Sequence, residues 1–550
     1  MSTVMYASVC ARNRIVQSHL NPVRAMHGMA VAPHALASQS ALAVLRDGGN
    51  AVEAMVAAAA TIAVVYPHMN SIGGDGFWLI AAPGKAPVGI EACGAAAGLA
   101  TGALYREHGL SAIPTRGPLA ANTVAGTVSG WQAALEWSQA HLRGRLPLDR
   151  LLGDAIGYAR DGMPVTASQM RGTAAKRAEL TSIPGFAAAF LPDGEVPQTG
   201  TVMRQPRLAA TLARLAEAGL DDFYRGELAQ RIAADLASVG SPLALSDLAR
   251  HRAREVTPLA IEHSQGTLYN MPPPTQGLVS LMILGLMDRL PLDAAGSDSA
   301  DFVHACVEAT KQAFAVRDAH ITDPDHMDVA PADLLSPSAL DAAAARIAMD
   351  VAAPWGTGRG PGDTVWMGVV DAQGVAVSFI QSIYHEFGSG IVLADTGINW
   401  QNRGCSFSLD PASRNPLMPY RRPFHTLNPA LARLKDGRTL SYGNMGGDGQ
   451  PQSQAAVFSR IVRFGMNPQA AIDAPRWLLG RTWGQTSDSL KLERRFGQAV
   501  GDALAARGHE VEYVAAYDEA MGHAGAIVRH ADGSLEAGFD PRSDGAAAGW

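Results

Sequence analysis

Asp363 to Ser382 reads DTVWMGVVDAQGVAVSFIQS. Two apolar, β-branched runs, Thr364 to Asp371 and Val375 to Ser382, flank Ala372-Gln373-Gly374. That pattern predicts a hairpin closed by a glycine-containing turn. Counting outward from the turn puts Ser382 opposite Thr364, and cross-strand neighbours lie about 4.5–5.5 Å apart at Cβ. Their hydroxyls are then within reach of each other. The run before the hairpin, AAPWGTGRGPGD (Ala352 to Asp363), has neither helical nor strand period and predicts an exposed loop. A threonine therefore opens an apolar strand directly after a glycine- and proline-rich loop.

This junction carries chemistry if the bond between Asp363 and Thr364 is cut. A threonine hydroxyl is a weak nucleophile and needs a base beside it. A freed α-amine titrates near 7.7–8.0 and would serve as that base within the same residue. On spacing alone, the commoner case is an ordinary strand threonine facing an ordinary serine.

Around the hairpin, the chain reads as globular. It has 550 residues, 47% hydrophobic and 17% charged, with net charge −7. It has no Lys/Arg run dense enough for nucleic acid or a lipid surface. The cysteines, Cys10, Cys93, Cys306 and Cys405, are scattered without a CxxC pair, the usage of a reducing compartment. The first residues lack an apolar signal-like core, and Ala51 to Tyr66 is too short to span a bilayer. These features predict a soluble, cytoplasmic protein. The first two-thirds looks mainly helical, at His34 to Leu45, Ala51 to Val65, Thr127 to His141, Leu152 to Arg160, Pro206 to Ala218, Asp222 to Val239, Gln276 to Leu290 and Ser299 to Ala319. The last third is β-rich, with strands at Leu427 to Leu434, Thr439 to Asn444, Glu510 to Val514, Gly525 to Arg529 and Leu535 to Phe539. The scattered histidines, including His304, His385 and His425, show no ligand spacing such as HExxH. Neither a metal nor an organic cofactor is expected.

Several separated motifs resemble, in order, the γ-glutamyltransferase family of N-terminal-nucleophile hydrolases. They are DGGNAVEA (Asp47 to Ala54), IGGDGFWL (Ile72 to Leu79), YNMPPPTQG (Tyr269 to Gly277), DTVWMGVVDAQGVAVSF (Asp363 to Phe379), FGSGIV (Phe387 to Val392), RRPFHTLNP (Arg421 to Pro429) and DPRSDGAAAGW (Asp540 to Trp550). The resemblance implies a four-layer αββα sandwich, of α/β (α+β) class, with a large helical portion. It implies a precursor cut at Asp363–Thr364 into a large subunit, 1–363, and a small one, 364–550. The two would form one intertwined unit, with a heterotetramer as the assembly to expect. It makes Thr364 the nucleophile, Ser382 its assisting hydroxyl, and the amides of Gly446 and Gly447 the oxyanion hole. Consecutive glycines suit that role because no Cβ blocks approach to a reacting carbonyl oxygen. Without the family motifs, GNMGGDGQ would read as a loop opening a helix or as a phosphate nest, although no P-loop lysine stands nearby.

Five positions depart from the family pattern. Cys93 stands where the family arginine pairs with the substrate α-carboxylate, and a thiol cannot replace a bidentate guanidinium. Tyr384 replaces an asparagine, Ser406 an aspartate that binds the substrate α-amine, and His425-Thr426 a serine pair. The bond-breaking groups are kept while recognition of a glutamyl group is lost. Tyr384 and His425 are bulky and should shorten the acyl pocket, favouring a small acyl group with its own anion. Tyr384, His425, Thr426, Arg403 and Arg422 are candidates to line that pocket. Outside a site, Arg403 and Arg422 read as surface charges, the commoner case for arginine, and Tyr384 and His425 as satisfied core residues. Within the family, AVVYPHMNSIGGDGFWLI and GPLAANTVAGTVSGW look most like the members of purine-ureide catabolism that hydrolyse oxamate, a small-molecule amide, to oxalate and ammonia. A γ-glutamyltransferase, a cephalosporin-acylase-like hydrolase and an inactive binding homologue are the other readings.

Overall fold

The computed structural model describes residues 20–356, 363–481 and 487–550. Residues 357–362 of the expected loop, like the first 19 residues of the chain, lie outside the described residues. The strands that build the core are β1 (Val23–Ala25), β2 (Gly28–Ala32), β3 (Asp75–Ala81), β4 (Val88–Ala92), β5 (Arg254–Val256), β6 (Leu259–His263) and β7 (Gly266–Asn270) from the first part of the chain. The second part adds β8 (Asp363–Asp371), β9 (Ala376–Tyr384), β10 (Ala430–Leu434), β11 (Thr439–Asn444), β12 (Ala524–Arg529), β13 (Leu535–Phe539) and β14 (Ala546–Gly549). They form two 7-stranded sheets, in the orders β14-β2-β8-β9-β3-β4-β5 and β1-β13-β12-β11-β10-β7-β6. Both sheets mix strands from either side of Thr364.

Strand side chains alternate between faces, and the two faces pack differently. Trp366, Ile380, Phe77 and Leu79 meet Leu431 and Ile527 of the other sheet. Val365, Met367, Val377, Phe379 and Trp78 face instead the helices α1 (Ala35–Arg46), α2 (Ala51–Val65) and α3 (Thr127–Leu142). The second sheet is covered by α4 (Gly277–Met287), α5 (Ala300–His320) and α6 (Gly449–Val462). The result is the four-layer αββα sandwich of the N-terminal-nucleophile hydrolases. By the same alternation, Thr364, Ser382 and Asp75 share parity with Trp366, Ile380 and Phe77. They lie on the inner face, between the sheets.

Helix α2 is buried on every side, as expected for a helix apolar all round. Its start is fixed by a capping box, in which Asn50 accepts from Val52 and Glu53 while Glu53 accepts from the Asn50 amide. The Ala51 amide donates to Asp371 at 2.9 Å, and the other Asp371 oxygen accepts from Val375 at 2.9 Å. One carboxylate thus ties the β8–β9 turn to the first turn of α2.

Most predicted elements are present within a few residues. The region expected to be mainly helical also contributes β1, β2 and β4 to β6, short strands too small or glycine-rich to show a period. The helix expected from Asp222 to Val239 is two helices, Asp222–Arg225 and Glu227–Val239. A Cβ on Gly226 would sit 1.7 Å from the Asp222 carboxylate, which instead accepts from the Glu227 amide at 2.9 Å. Among the described residues, no helix is long and apolar enough to cross a membrane.

Trp366 locks the sheets together. Its indole donates to Ser378 at 2.9 Å and lies against Gly443 of β11 and Gly525 of β12. A Cβ on Gly443 would lie 2.0 Å from the ring, so Gly443→Ala should destabilise the protein by about 1–3 kcal/mol. The check is a lowered thermal midpoint; an unchanged midpoint would show that this packing does not pin the sheets.

Candidate active site

Three adjacent strands, β8, β9 and β3, carry Thr364, Ser382 and Asp75. Residues along β8 and β9 pair from Val365 with Gln381 through Val370 with Ala376. The register then shifts, and Asp363 pairs with Tyr384. Thr364 therefore faces a two-residue bulge, Ser382-Ile383, of the kind that re-aims side chains. The Thr364 hydroxyl donates to Ser382 Oγ at 3.3 Å, and Ser382 also accepts from the Tyr384 amide at 2.9 Å. Both hydroxyl-bearing residues are buried. On the far side of β9, Ser382 pairs with Asp75.

The bulge leaves Tyr384 at φ 79°, in the left-handed region that a non-glycine residue rarely adopts. Such strain costs of order 1–3 kcal/mol and marks functional sites. The Arg403 guanidinium lies 3.7 Å from the centre of the Tyr384 ring, a cation–π contact. Arg403 is 1% exposed, and neither of its terminal nitrogens has a hydrogen-bond acceptor among the described residues. Burial pulls its pKa below the ordinary arginine value. A buried guanidinium with two idle donors is a socket for a planar anion.

Asp75, to which the sequence reading gave no role, organises this corner. Its Oδ1 accepts from the Gly94 amide at 3.0 Å, the Gly126 amide at 3.0 Å and Gln401 Nε2 at 3.1 Å. Its Oδ2 has no such partner among the described residues and lies 3.5 Å from His425 Nε2. Burial pushes the Asp75 carboxyl up to about 7, against the opposing pull of those donors and of Arg403. His425 is fully buried, and burial with the nearby Arg403 holds it well below its ordinary value, so the ring is neutral. The signal was present in the sequence, as a carboxylate in the first residue of an apolar strand.

The glycine pair follows β11. Gly446 and Gly447 adopt φ 118° and 51°, conformations that glycine tolerates and side chains resist. Their carbonyls are tied down: Gly446 accepts from Gly449 at 2.7 Å, and Gly447 from Gln276 Nε2 at 2.9 Å. Gln276 also donates to the Thr426 carbonyl at 2.9 Å and accepts from Arg317 at 3.3 Å. Arg317 pairs with Asp448 at 2.8 Å in the buried interior. The pair thus sits in a braced loop at the N-terminus of α6, where the helix dipole favours negative charge.

The remaining candidates separate. Arg422 is buried, not a surface charge, and is held by Glu91 at 2.8 Å, Asp323 at 2.6 Å and Asp325 at 2.8 Å. Its charge is answered by the protein, which leaves Arg403 as the better anion socket. Thr426 is buried beside His425, its hydroxyl without a hydrogen-bond partner among the described residues. Ser406 donates to the Phe424 carbonyl at 3.3 Å. Cys93 is buried, its thiol pushed up by burial and by the Glu91 and Asp75 carboxylates. Away from this corner, the structure gathers His304, Glu308 and His509, their ligand atoms within 4.8 Å of one another. Their spacing across helix and loop was invisible in the sequence. Lys311 already bonds Glu308 at 2.7 Å, and the two imidazoles bond each other at 2.8 Å. The cluster satisfies itself.

The gamma-glutamyltranspeptidase family model matches residues 37–550. The chain is 63% identical to the oxamate amidohydrolase proenzyme of Klebsiella pneumoniae over 95% of its length and 98% of that protein's. It is 41% identical to the glutathione hydrolase-like YwrD proenzyme of Bacillus subtilis, again over 95% and 98% of the two chains. Among solved structures, the cephalosporin acylase of Bacillus halodurans superposes with a TM-score of 0.89 at 34% identity, over 100% of this chain and 99% of that one. The chain belongs to the gamma-glutamyltranspeptidase family and is an enzyme that hydrolyses amide C–N bonds.

A ligand that binds only the folded protein raises its thermal midpoint. Small carboxylates that pair with Arg403 should raise the midpoint of the wild type, and Arg403→Met should remove that rise. A rise of the same size in the variant would show that the carboxylates bind elsewhere.

Proposed function

We propose that this enzyme cuts itself before Thr364 and then hydrolyses oxamate to oxalate and ammonia. The observation that carries the reading is the idle, buried guanidinium of Arg403, stacked on Tyr384 beside the Thr364–Ser382 hydroxyl pair. In oxamate the carboxylate is joined to the scissile carbonyl by one C–C bond, about 1.5 Å long. A nucleophile and an anion socket must then be close neighbours. The likeness to the Klebsiella pneumoniae proenzyme supports the same substrate.

In maturation, the Thr364 hydroxyl attacks the Asp363 carbonyl, the peptide bond passes to an ester, and water releases the fragments 1–363 and 364–550. In turnover, Thr364 Oγ1 attacks the amide carbon of oxamate as its own α-amine accepts the hydroxyl proton. Ser382 orients the hydroxyl, and its own orientation is fixed by the Tyr384 amide. Gly446 and Gly447 donate to the oxyanion, a contact whose loss costs about 2.7–4 kcal/mol per donor. Collapse expels ammonia, which takes the proton held by the α-amine. Water, activated by the same amine, then frees oxalate. Tyr384 and Arg403 hold the carboxylate throughout.

The structural likeness to a cephalosporin acylase favours a second reading, hydrolysis of a larger acyl amide. Ammonia release from oxamate, set against aniline release from a γ-glutamyl anilide and acyl release from a cephalosporin, separates them. Oxamate alone should be turned over; no ammonia from it would overturn the substrate. Intact-mass measurement should find wild type as two fragments, the smaller beginning at Thr364, and Thr364→Ala as one inactive chain. A wild type that stays whole after ageing would contradict self-cleavage. Ser382→Ala should lower kcat by at least about tenfold with little change in KM, since the hydroxyl acts on the nucleophile rather than on bound substrate.

A further inference from the structure

Asp75, Arg403 and His425 are three titratable side chains, all fully or almost fully buried, each with polar atoms that have no hydrogen-bond partner among the described residues. They are the Asp75 Oδ2, both terminal nitrogens of Arg403 and both ring nitrogens of His425. Around Asp75 the remaining polar groups are Cys93 after β4, Tyr224 from a neighbouring helix, Ser382 across β9, Gln401 and the amides of Gly94 and Gly126. Burial pushes both the Cys93 thiol and the Tyr224 phenol above their ordinary values, so neither is an anion near neutral pH. With His425 neutral, the charges that act on each other here are the Arg403 guanidinium and, when ionised, the Asp75 carboxylate. Beyond Cys93, Arg422 is answered by Glu91 and Asp323, and processing adds the α-amine of Thr364.

This charge count decides what binding an anion entails. With Asp75 ionised, Arg403 already has its counter-charge, and a substrate carboxylate would leave a net negative charge in a buried site. Uncompensated buried charge is among the costliest arrangements in a protein. With a proton on Asp75 Oδ2, the substrate takes over as the counter-anion and the corner stays neutral. The proton has a place to go, because Oδ2 lies 3.5 Å from His425 Nε2 and carries none of the three accepted hydrogen bonds. We infer that Asp75 is the resident counter-ion of Arg403, and that binding of a substrate carboxylate is coupled to uptake of one proton on Asp75 Oδ2. Asp75 is a positioning and specificity-determining residue here, selecting a singly charged acyl group. The inference rests on the reading of Arg403 as the anion socket.

Charge and protons balance. The free enzyme, solvent proton and monoanion combine to give protonated Asp75 with an Arg403–carboxylate pair. Burial puts the Asp75 carboxyl near 7 in the free protein, so the coupling falls in the neutral range. Below that range Asp75 is already protonated and binding is pH-independent. Above it, affinity for a monoanion falls tenfold per pH unit.

The test compares oxamate with oxamide, its neutral diamide counterpart, on the processed enzyme. Titration of the α-amine affects both substrates and cancels in the ratio of their kcat/KM values. The ratio should be flat below about pH 6 and fall about tenfold per unit above Asp75's titration. In Asp75→Asn, which keeps an acceptor for the three donors and offers an N–H toward His425, the ratio should be flat. A flat ratio in wild type, or a slope that survives in Asp75→Asn, overturns the inference. The wild-type ratio decides even if the variant fails to fold. If oxamate is not turned over at any pH, the proposed substrate fails, and a pH-indicator dye then reads proton uptake on acetate binding. Uptake near neutral pH upholds the coupling; binding without uptake, or no binding, overturns it.

Discussion

A carboxylate buried away from water must be answered by N–H groups of the protein, and that constraint shapes the corner around Asp75. Its Oδ1 gathers donors from the turn after β4, from the start of α3 and from the loop that carries Arg403. These segments are far apart in sequence, and one oxygen atom fixes their mutual positions. The glycines around it make the convergence possible. A Cβ on Gly74 would lie 2.2 Å from the Ser382 carbonyl, and one on Gly126 2.3 Å from the Ala92 carbonyl. The backbone closes so tightly here that the strand carrying Ser382, the socket arginine and the helix α3 form one rigid assembly.

The two sheets then bring a strained hairpin and a braced glycine loop to a common interior. Trp366 presses the hairpin onto Gly443, three residues before Gly446, while Gln276 and the Arg317–Asp448 pair hold the loop from the other side. The strain is local and the support surrounds it. Tyr384 sits in the left-handed region, yet its amide fixes Ser382 and its ring carries Arg403. Preorganisation of this kind suits a reaction whose transition state needs donors already in place.

Much of this was readable from residue spacing. The turn at Ala372-Gln373-Gly374 set the hairpin, and Ser382 does face Thr364, because register in a two-sided apolar hairpin has little freedom. The bulge after Ser382 was not readable, since it depends on Tyr384 adopting an unusual φ. Strands such as Gly28–Ala32 and Val88–Ala92 were missed because they are short, buried on both faces and rich in alanine and glycine, which leaves no period of two. The arginines were legible as charges but not as partners. Arg422 meets Glu91 and Asp323, distant in sequence, whereas Arg403 meets an aromatic ring and, among the described residues, no carboxylate at hydrogen-bonding distance. Asp75 was quoted within a motif and given no role, because its three donors come from separate segments.

Membership of the gamma-glutamyltranspeptidase family explains what is kept, the sandwich and the hydroxyl pair. Under the proposed function, Cys93, Tyr384, Ser406 and His425 belong to one rearrangement of the acyl site. Arg403 brings a guanidinium to the neighbourhood of Cys93, close enough for Cys93 and Asp75 to act on its charge. In the proposed account, Thr364 attacks a short anionic amide and carries its acyl group. Mass spectrometry of the small subunit, acid-quenched during turnover of oxamate, tests that most directly. The account predicts an oxalyl group on the N-terminal Thr364; turnover with Thr364 unmodified, or with the acyl group on another residue, would contradict it.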